Sequence, residues 1–135
     1  MRTRTIRQTV VLPGTPEAVY RALMTTREHE AFTESPARIS PKVGGAFRAW
    51  DGYIRGKNLE LVPGKTIVQA WRAAEEDWPE DHFSTVTFRL SPVRNGTRLT
   101  MTHADVPADH ASQLASGWKE FYWEPLKRYL VSESR

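Results

Sequence analysis

The sequence predicts a single α+β domain, residues 1–135, with an antiparallel sheet of about six or seven strands and a long C-terminal helix. Three observations point there. Helical patterns sit near the two ends while strand patterns crowd the middle, which is the order of an α+β fold. The middle strands are joined by short turn signals, so consecutive strands pair antiparallel. One face of those strands is apolar and the other polar, the mark of a sheet packed on one side only.

The elements follow in chain order. Residues 3–12, "TRTIRQTVVL", are rich in β-branched residues and alternate, which predicts a strand. "PGT" breaks it, and Thr15 before Pro16 reads as an N-cap with proline at the first helical position. The helix "PEAVYRALMT" puts Val19, Ala22 and Leu23 on one face, and a second short helix, "REHEAFT", ends at Ser35-Pro36. Strand text then runs through "VGGAFRAW", "YIRGKNLELV", "KTIVQAWRAA", "FSTVTFRLSP" and "TRLTMTHAD". Asp51-Gly52, Pro63-Gly64, "EEDWPED" and Asn95-Gly96 separate these runs, and Asn-Gly between two alternating runs is a hairpin signal. Within the strands, Ile67, Gln69, Trp71 and Ala73 share a face, as do Ser84, Val86, Phe88 and Leu90, and Leu99, Met101 and His103. Arg72 and Arg89 fall on the opposite, solvated face.

The last segment, "HASQLASGWKEFYWEPLKRYL", predicts one amphipathic helix after Pro107, reaching Leu130. A period of 3.6 puts Leu114, Trp118, Phe121, Tyr122, Pro125, Leu126 and Tyr129 in one arc, with Trp123 and Leu130 just outside it. Such bulky rings suit the hollow of a curved sheet, and Gly44-Gly45 and Gly52 provide bends. Pro125 in a helix interior removes a donor and pushes its ring at the Phe121 carbonyl, costing about 3 kcal/mol, so a kink is expected.

Composition narrows the function classes. The chain has no cysteine, which removes disulfides, thiolate nucleophiles and cysteine metal sites. No run of apolar residues is long enough for a signal peptide or a membrane span, so a cytoplasmic protein is expected. The 19 Lys and Arg against 16 Asp and Glu leave a net charge of +3, spread along the chain without a nucleic-acid motif. His103, Asp105, Asp109 and His110 match no metal-ligand spacing, so no metal and no cofactor is expected. The carboxylates of "EEDWPED" read as a solvated loop, and Trp78 and Trp123 as surface aromatics available to a subunit contact. Among the histidines only His103 falls on an inward face, where it is a core-edge group bonded to a carbonyl or Tyr122, a ligand contact, or a general base.

The motifs "VGGAF", Gly56, "LELVPGKTIVQAWR", Trp78, "STVT", "GTRLTMTH", Val106-Pro107 and "GWKEFYWEPLKRYL" occur in order over nearly the whole chain. In these residues the chain resembles the activator-of-Hsp90-ATPase C-terminal-domain-like family of the START/SRPBCC superfamily. The resemblance implies a helix-grip (START/Bet v-like) fold, in which a seven-stranded sheet grips the C-terminal helix and two small helices close one end. It implies a cavity between sheet and helix that takes apolar small molecules in related families, and an Hsp90-type chaperone as partner in a stress response.

Three functions follow as expectations. The first is binding of an apolar small molecule in the cavity, with Phe47, Tyr53, Trp71, Phe88, Met101, His103, Trp118 and Tyr122 as its lining. The second is interaction with an Hsp90-type chaperone. The third is an enzyme acting on a hydrophobic substrate in the cavity, with His103 as the group to test, although no nucleophile or paired acid and base is visible. Monomer and homodimer both stay open.

Overall fold

The computed structural model describes residues 1–133. Seven strands form one sheet: β1 (Thr3–Leu12), β2 (Arg38–Ile39), β3 (Ala46–Ala49), β4 (Ile54–Val62), β5 (Thr66–Ala73), β6 (Ser84–Val93) and β7 (Gly96–Pro107). Their order is β1-β7-β6-β5-β4-β3-β2, and every neighbouring pair is antiparallel. Strands β2 to β7 are therefore a meander, and β1 returns to lie beside β7. Between β1 and β2 come α1 (Pro16–Met24) and α2 (Thr26–Thr33). The chain ends in α3 (Ala111–Trp118), a π-helical turn (Lys119–Trp123) and α4 (Glu124–Glu133).

Local chemistry explains the boundaries. The Thr15 hydroxyl accepts the Ala18 N–H at 3.1 Å, and Pro16 opens α1 without wasting a donor. Glu34 stops α2 in the left-handed region with φ 56°. Strand β2, only two residues long between Pro36 and Pro41, is too short to show alternation in the sequence. The β6–β7 hairpin turns on Arg94-Asn95, because Val93 pairs with Gly96. The sequence expectation was one residue late: Asn95 takes the positive φ of 65°, and Gly96 is already in β7. Glycine is needed there for a close approach, since a Cβ would lie 2.3 Å from the Leu12 carbonyl oxygen.

Two bulges curve the sheet. β7 carries an extra residue against Arg4–Ile6 of β1, and β4 carries one against β5 between Asn58 and Glu60. Leu12, Val86, Leu99, Met101 and Val106 on the concave side are fully buried. On the convex side, Arg72 departs from the sequence expectation. Residues 74–83 fold over it, and its guanidinium donates to the carbonyls of Pro79 (3.1 Å), Ala73 (3.2 Å) and Trp78. Trp78 is buried with it, donating its indole N–H to the His82 carbonyl at 2.9 Å. The "EEDWPED" stretch is thus a pinned loop, and Trp78 is not a surface residue.

The C-terminal helix also departs from a uniform 3.6 period. In the π turn the Glu124 N–H bonds to the Lys119 carbonyl, five residues back. That inserts one residue into the ladder, so everything beyond it is turned back by about 100°. Trp123 and Leu130 swing into the core, while Phe121 turns out and is 48 % exposed. Pro125 follows directly on the π turn, so the residue that has no donor to give sits where the ladder is already widened. The interior proline is thus accommodated by a wide turn, which moves the preceding carbonyls off its ring. Gln8 of β1 fastens this region, donating to the Ala115 carbonyl (2.8 Å) and accepting the Trp123 indole N–H (2.7 Å).

Candidate functional site

Aromatic packing between sheet and helix shapes the site. Trp71 reaches up from β5 to Trp118 of α3, with ring centroids 5.8 Å apart, and Trp118 stacks on Trp123 at 5.5 Å. Tyr122 meets Trp118 at 4.9 Å and the α2 residue Phe32 at 5.9 Å. Beside this stack lies a cavity of about 280 Å³. Trp50, Tyr53, Ile54 and Trp71 wall it from the sheet, and Leu114, Gly117, Trp118, Phe121 and Tyr122 from the helix. Its walls are almost entirely carbon.

Trp50 and Phe121 form its outer lip, with ring centroids 5.4 Å apart at near-right angles. Trp50 starts the β3–β4 turn, where Trp50, Asp51 and Gly52 all have positive φ (53°, 56° and 88°). Two non-glycine residues in succession in the left-handed region are strained, and such strain gathers at ligand clamps and switches. Tyr53 ends the same turn. Its hydroxyl donates to Glu75, and burial together with that carboxylate raises its pKa.

A smaller cavity of about 20 Å³ lies behind the stack, between the sheet, α1 and α2. Phe47, Phe88, His29 and Gln69 line it, and Trp71, Trp118 and Tyr122 separate it from the larger one. It has room for about one water. His29 is buried on the inward side of α2, against the expectation that only His103 faced inward. The miss has a plain cause: an eight-residue helix shows too few turns to reveal which side docks. The His29 Nε2 lies 3.1 Å from the Tyr122 hydroxyl, and its Nδ1 is the one buried side-chain polar atom without a partner among the described residues. Burial lowers the pKa of His29 to about 4 and raises that of Tyr122. Immediately before His29 in the chain, the buried carboxylate of Glu28 accepts from Arg21 (2.9 Å) and from the Tyr129 hydroxyl (2.8 Å).

His103 has both ring nitrogens engaged. The Trp118 indole N–H donates to Nδ1 at 3.1 Å, so the proton sits on Nε2, which donates to Ser84 Oγ at 2.8 Å. Ser84 in turn donates to the Trp71 carbonyl at 2.9 Å. The histidine has no exposed surface, and burial lowers its pKa to about 3. This relay of neutral hydrogen bonds rivets the helix to three strands, and its partners are Ser84 and Trp118, not Tyr122.

The eight residues singled out in the sequence therefore separate. Tyr53, Trp71, Trp118 and Tyr122 line the larger cavity. Phe47 and Phe88 line the smaller one with the last three of these. Met101 and His103 stand behind the walls, fully buried. Sequence reasoning missed Trp50, Ile54, Leu114, Gly117 and Phe121. The aromatic content of 110–130 was a signal for Phe121, whereas Trp50 is placed only by its turn. Among the described residues no three His, Asp or Glu side chains converge as metal ligands, and no helix is long and apolar enough to cross a membrane.

A curved antiparallel sheet closed around a C-terminal helix, with a cavity between them, defines a helix-grip protein of the SRPBCC-like type. Within that class, the chain belongs to the Activator of Hsp90 ATPase homolog 1-like protein family, whose sequence profile matches residues 13–131. It is 36% identical over 113 residues to the human Activator of 90 kDa heat shock protein ATPase homolog 1, covering 84% of this chain and 33% of that one. It is 30% identical over 122 residues to mouse homolog 2, covering 90% and 36%. The chain thus spans about a third of the length of these relatives. Among solved structures, an HSP90 activator from Plasmodium falciparum superposes with a TM-score of 0.86 at 26% identity, covering 94% and 96% of the two chains. A Mesorhizobium loti protein does so at 0.81 and 28%, covering 98% and 99%. The Aha1 of Colwellia psychrerythraea, described as a dimer, shares the fold at 0.79 and 22% identity, covering 94% and 96%.

Proposed function

We propose that this chain binds an apolar, flat small molecule in the cavity between Trp50, Trp71 and the C-terminal helix. The observation that carries the reading is the cavity itself: about 280 Å³, walled by aromatic rings from both sheet and helix. That volume is at the small end of ligand pockets, which suits two or three fused rings. Ring faces offered by Trp71, Trp118 and Tyr122 favour stacked and edge-on aromatic contacts. The Tyr53 and Tyr122 hydroxyls are engaged with Glu75 and His29, so they do not demand a polar ligand.

Native mass spectrometry of the freshly purified chain tests this. Extra mass that vanishes on denaturation, or uptake of added naphthalene, is the expected result. Phe121→Ala, at the exposed lip, should weaken retention while leaving the melting temperature close to wild type. A bare mass with no naphthalene uptake would refute the reading.

A second reading is action on an Hsp90-type chaperone. It rests on the identity to relatives named for activating that ATPase. Purified Hsp90 titrated with this chain at low salt, where charge attraction is least screened, should then turn over ATP faster. A flat titration would exclude it.

A further inference from the structure

The register of the sheet puts four arginines in one row. Arg38 pairs with Arg48, Arg48 with Arg55, and Arg55 with Arg72, across the adjacent strands β2, β3, β4 and β5. All four point to the convex side, because their neighbours Ile39, Phe47, Ala49, Ile54, Trp71 and Ala73 are buried on the other. Like charges directly opposite one another across strands are destabilising, so the row works against the fold unless anions balance it.

The chain itself balances one end. Arg72 is spent on the carbonyls of the loop above it, and Glu80 of that loop lies 3.5 Å from Arg55 and 4.0 Å from Arg72. Glu80 is 90 % exposed and reaches the row from outside, so a carboxylate arriving from solvent is accepted there. Arg38 and Arg48 are exposed and have no ion pair among the described residues.

Beside the row runs a groove of about 400 Å³. Its floor is made shallow by Ala46 and Ala70, the two register partners of Lys57. Its wall is Phe83, 38 % exposed, with the Arg55 guanidinium 5.6 Å from the ring centre. A cationic row next to a methyl-lined floor and an aromatic wall is bipartite.

We propose that this groove docks an acidic peptide segment of a partner protein. Its carboxylates pair with Arg38 and Arg48, and one apolar side chain rests on the alanine floor against Phe83. Glu80 occupies the end of the row in the free chain and competes with that segment. The inference is independent of whether the inner cavity takes a ligand.

The test is fluorescence anisotropy at low salt with a fluorescein-labelled peptide of glutamates and aspartates carrying one central phenylalanine. The double variant Arg38→Gln, Arg48→Gln should weaken binding about tenfold, the loss expected for two charge pairs. Its melting temperature should stay or rise, since a repulsion is relieved, which separates lost binding from lost fold. Glu80→Gln should tighten binding about threefold. The charge-matched double variant Arg94→Gln, Arg98→Gln, on the distant β6–β7 hairpin, should leave it unchanged. Equal loss in both double variants would reduce the effect to bulk charge and overturn the proposal. So would an unaltered affinity in the first, or an oligothymidylate that binds more tightly than the peptide and is lost with the same arginines.

Discussion

Substituting Gly117 by leucine should make this protein more stable and close its cavity. Gly117 lies in α3 on the cavity wall, and a Cβ built there meets nothing nearer than the Phe121 ring at 3.7 Å. The backbone is ordinary helix, so no strain is added. Replacing glycine by leucine within a helix contributes about 0.8 kcal/mol. A leucine side chain covered by the walls contributes about 1.5 kcal/mol more, offset by about 0.7 kcal/mol of lost rotamer freedom. The net is about 1.6 kcal/mol, or about 6 °C in melting temperature for a chain of this size. The same side chain occupies the space a flat ligand needs, so naphthalene quenching of tryptophan fluorescence should weaken at least about thirtyfold, a loss of about 2 kcal/mol. Thermal melts by circular dichroism and the quenching titration read the two effects on one sample. A lower melting temperature, or undiminished quenching, would refute the argument that this space exists and is where ligands go.

Two further outcomes are expected. His29 and His103 are both held neutral by burial, with pKa values lowered to about 4 and about 3 from an ordinary 6.5. Below pH 6.5 the unfolded chain takes up protons that the folded chain refuses, so stability falls as pH drops from 6.5 towards 4, by about 1.4 kcal/mol per unit for each histidine. Urea melts across that range measure the slope, which His103→Gln should roughly halve; an unchanged slope would remove His103 from the account. Pro125→Ala should alter stability by less than about 1 kcal/mol, because the π turn has already opened the ladder around the missing donor. A gain near 3 kcal/mol in denaturant melts would mean the proline sits in an ordinary helix interior after all.

Much of this fold was written in local patterns. Thr15-Pro16 sets the start of α1 from two residues, and period-two alternation sorts β5, β6 and β7 correctly. What escaped depends on distant partners. Arg72 is a polar-face residue until the loop that carries Trp78 folds over it, and nothing in "EEDWPED" says which way that loop bends. His29 becomes inward only because α2 docks against Tyr122. The arginine row exists only in the register, for residues 38, 48, 55 and 72 have no spacing that links them. Half the candidate site was legible in the aromatic residues, while Trp50 and Gly117 were not. One is placed by a strained turn, and the other contributes by lacking a side chain.

The π turn has a broader consequence. It divides the C-terminal helix into two lengths that answer to different neighbours. Before it, Leu114, Gly117 and Trp118 shape a chamber; after it, Leu126 and Leu130 bed into the core, Leu130 against Gly14. Because the single extra residue absorbs the mismatch in phase, substitutions that reshape the chamber need not disturb the bed. The helix behaves as a fixed hinge-pin carrying an exchangeable wall, so the wall is free to change without changing how the helix is held.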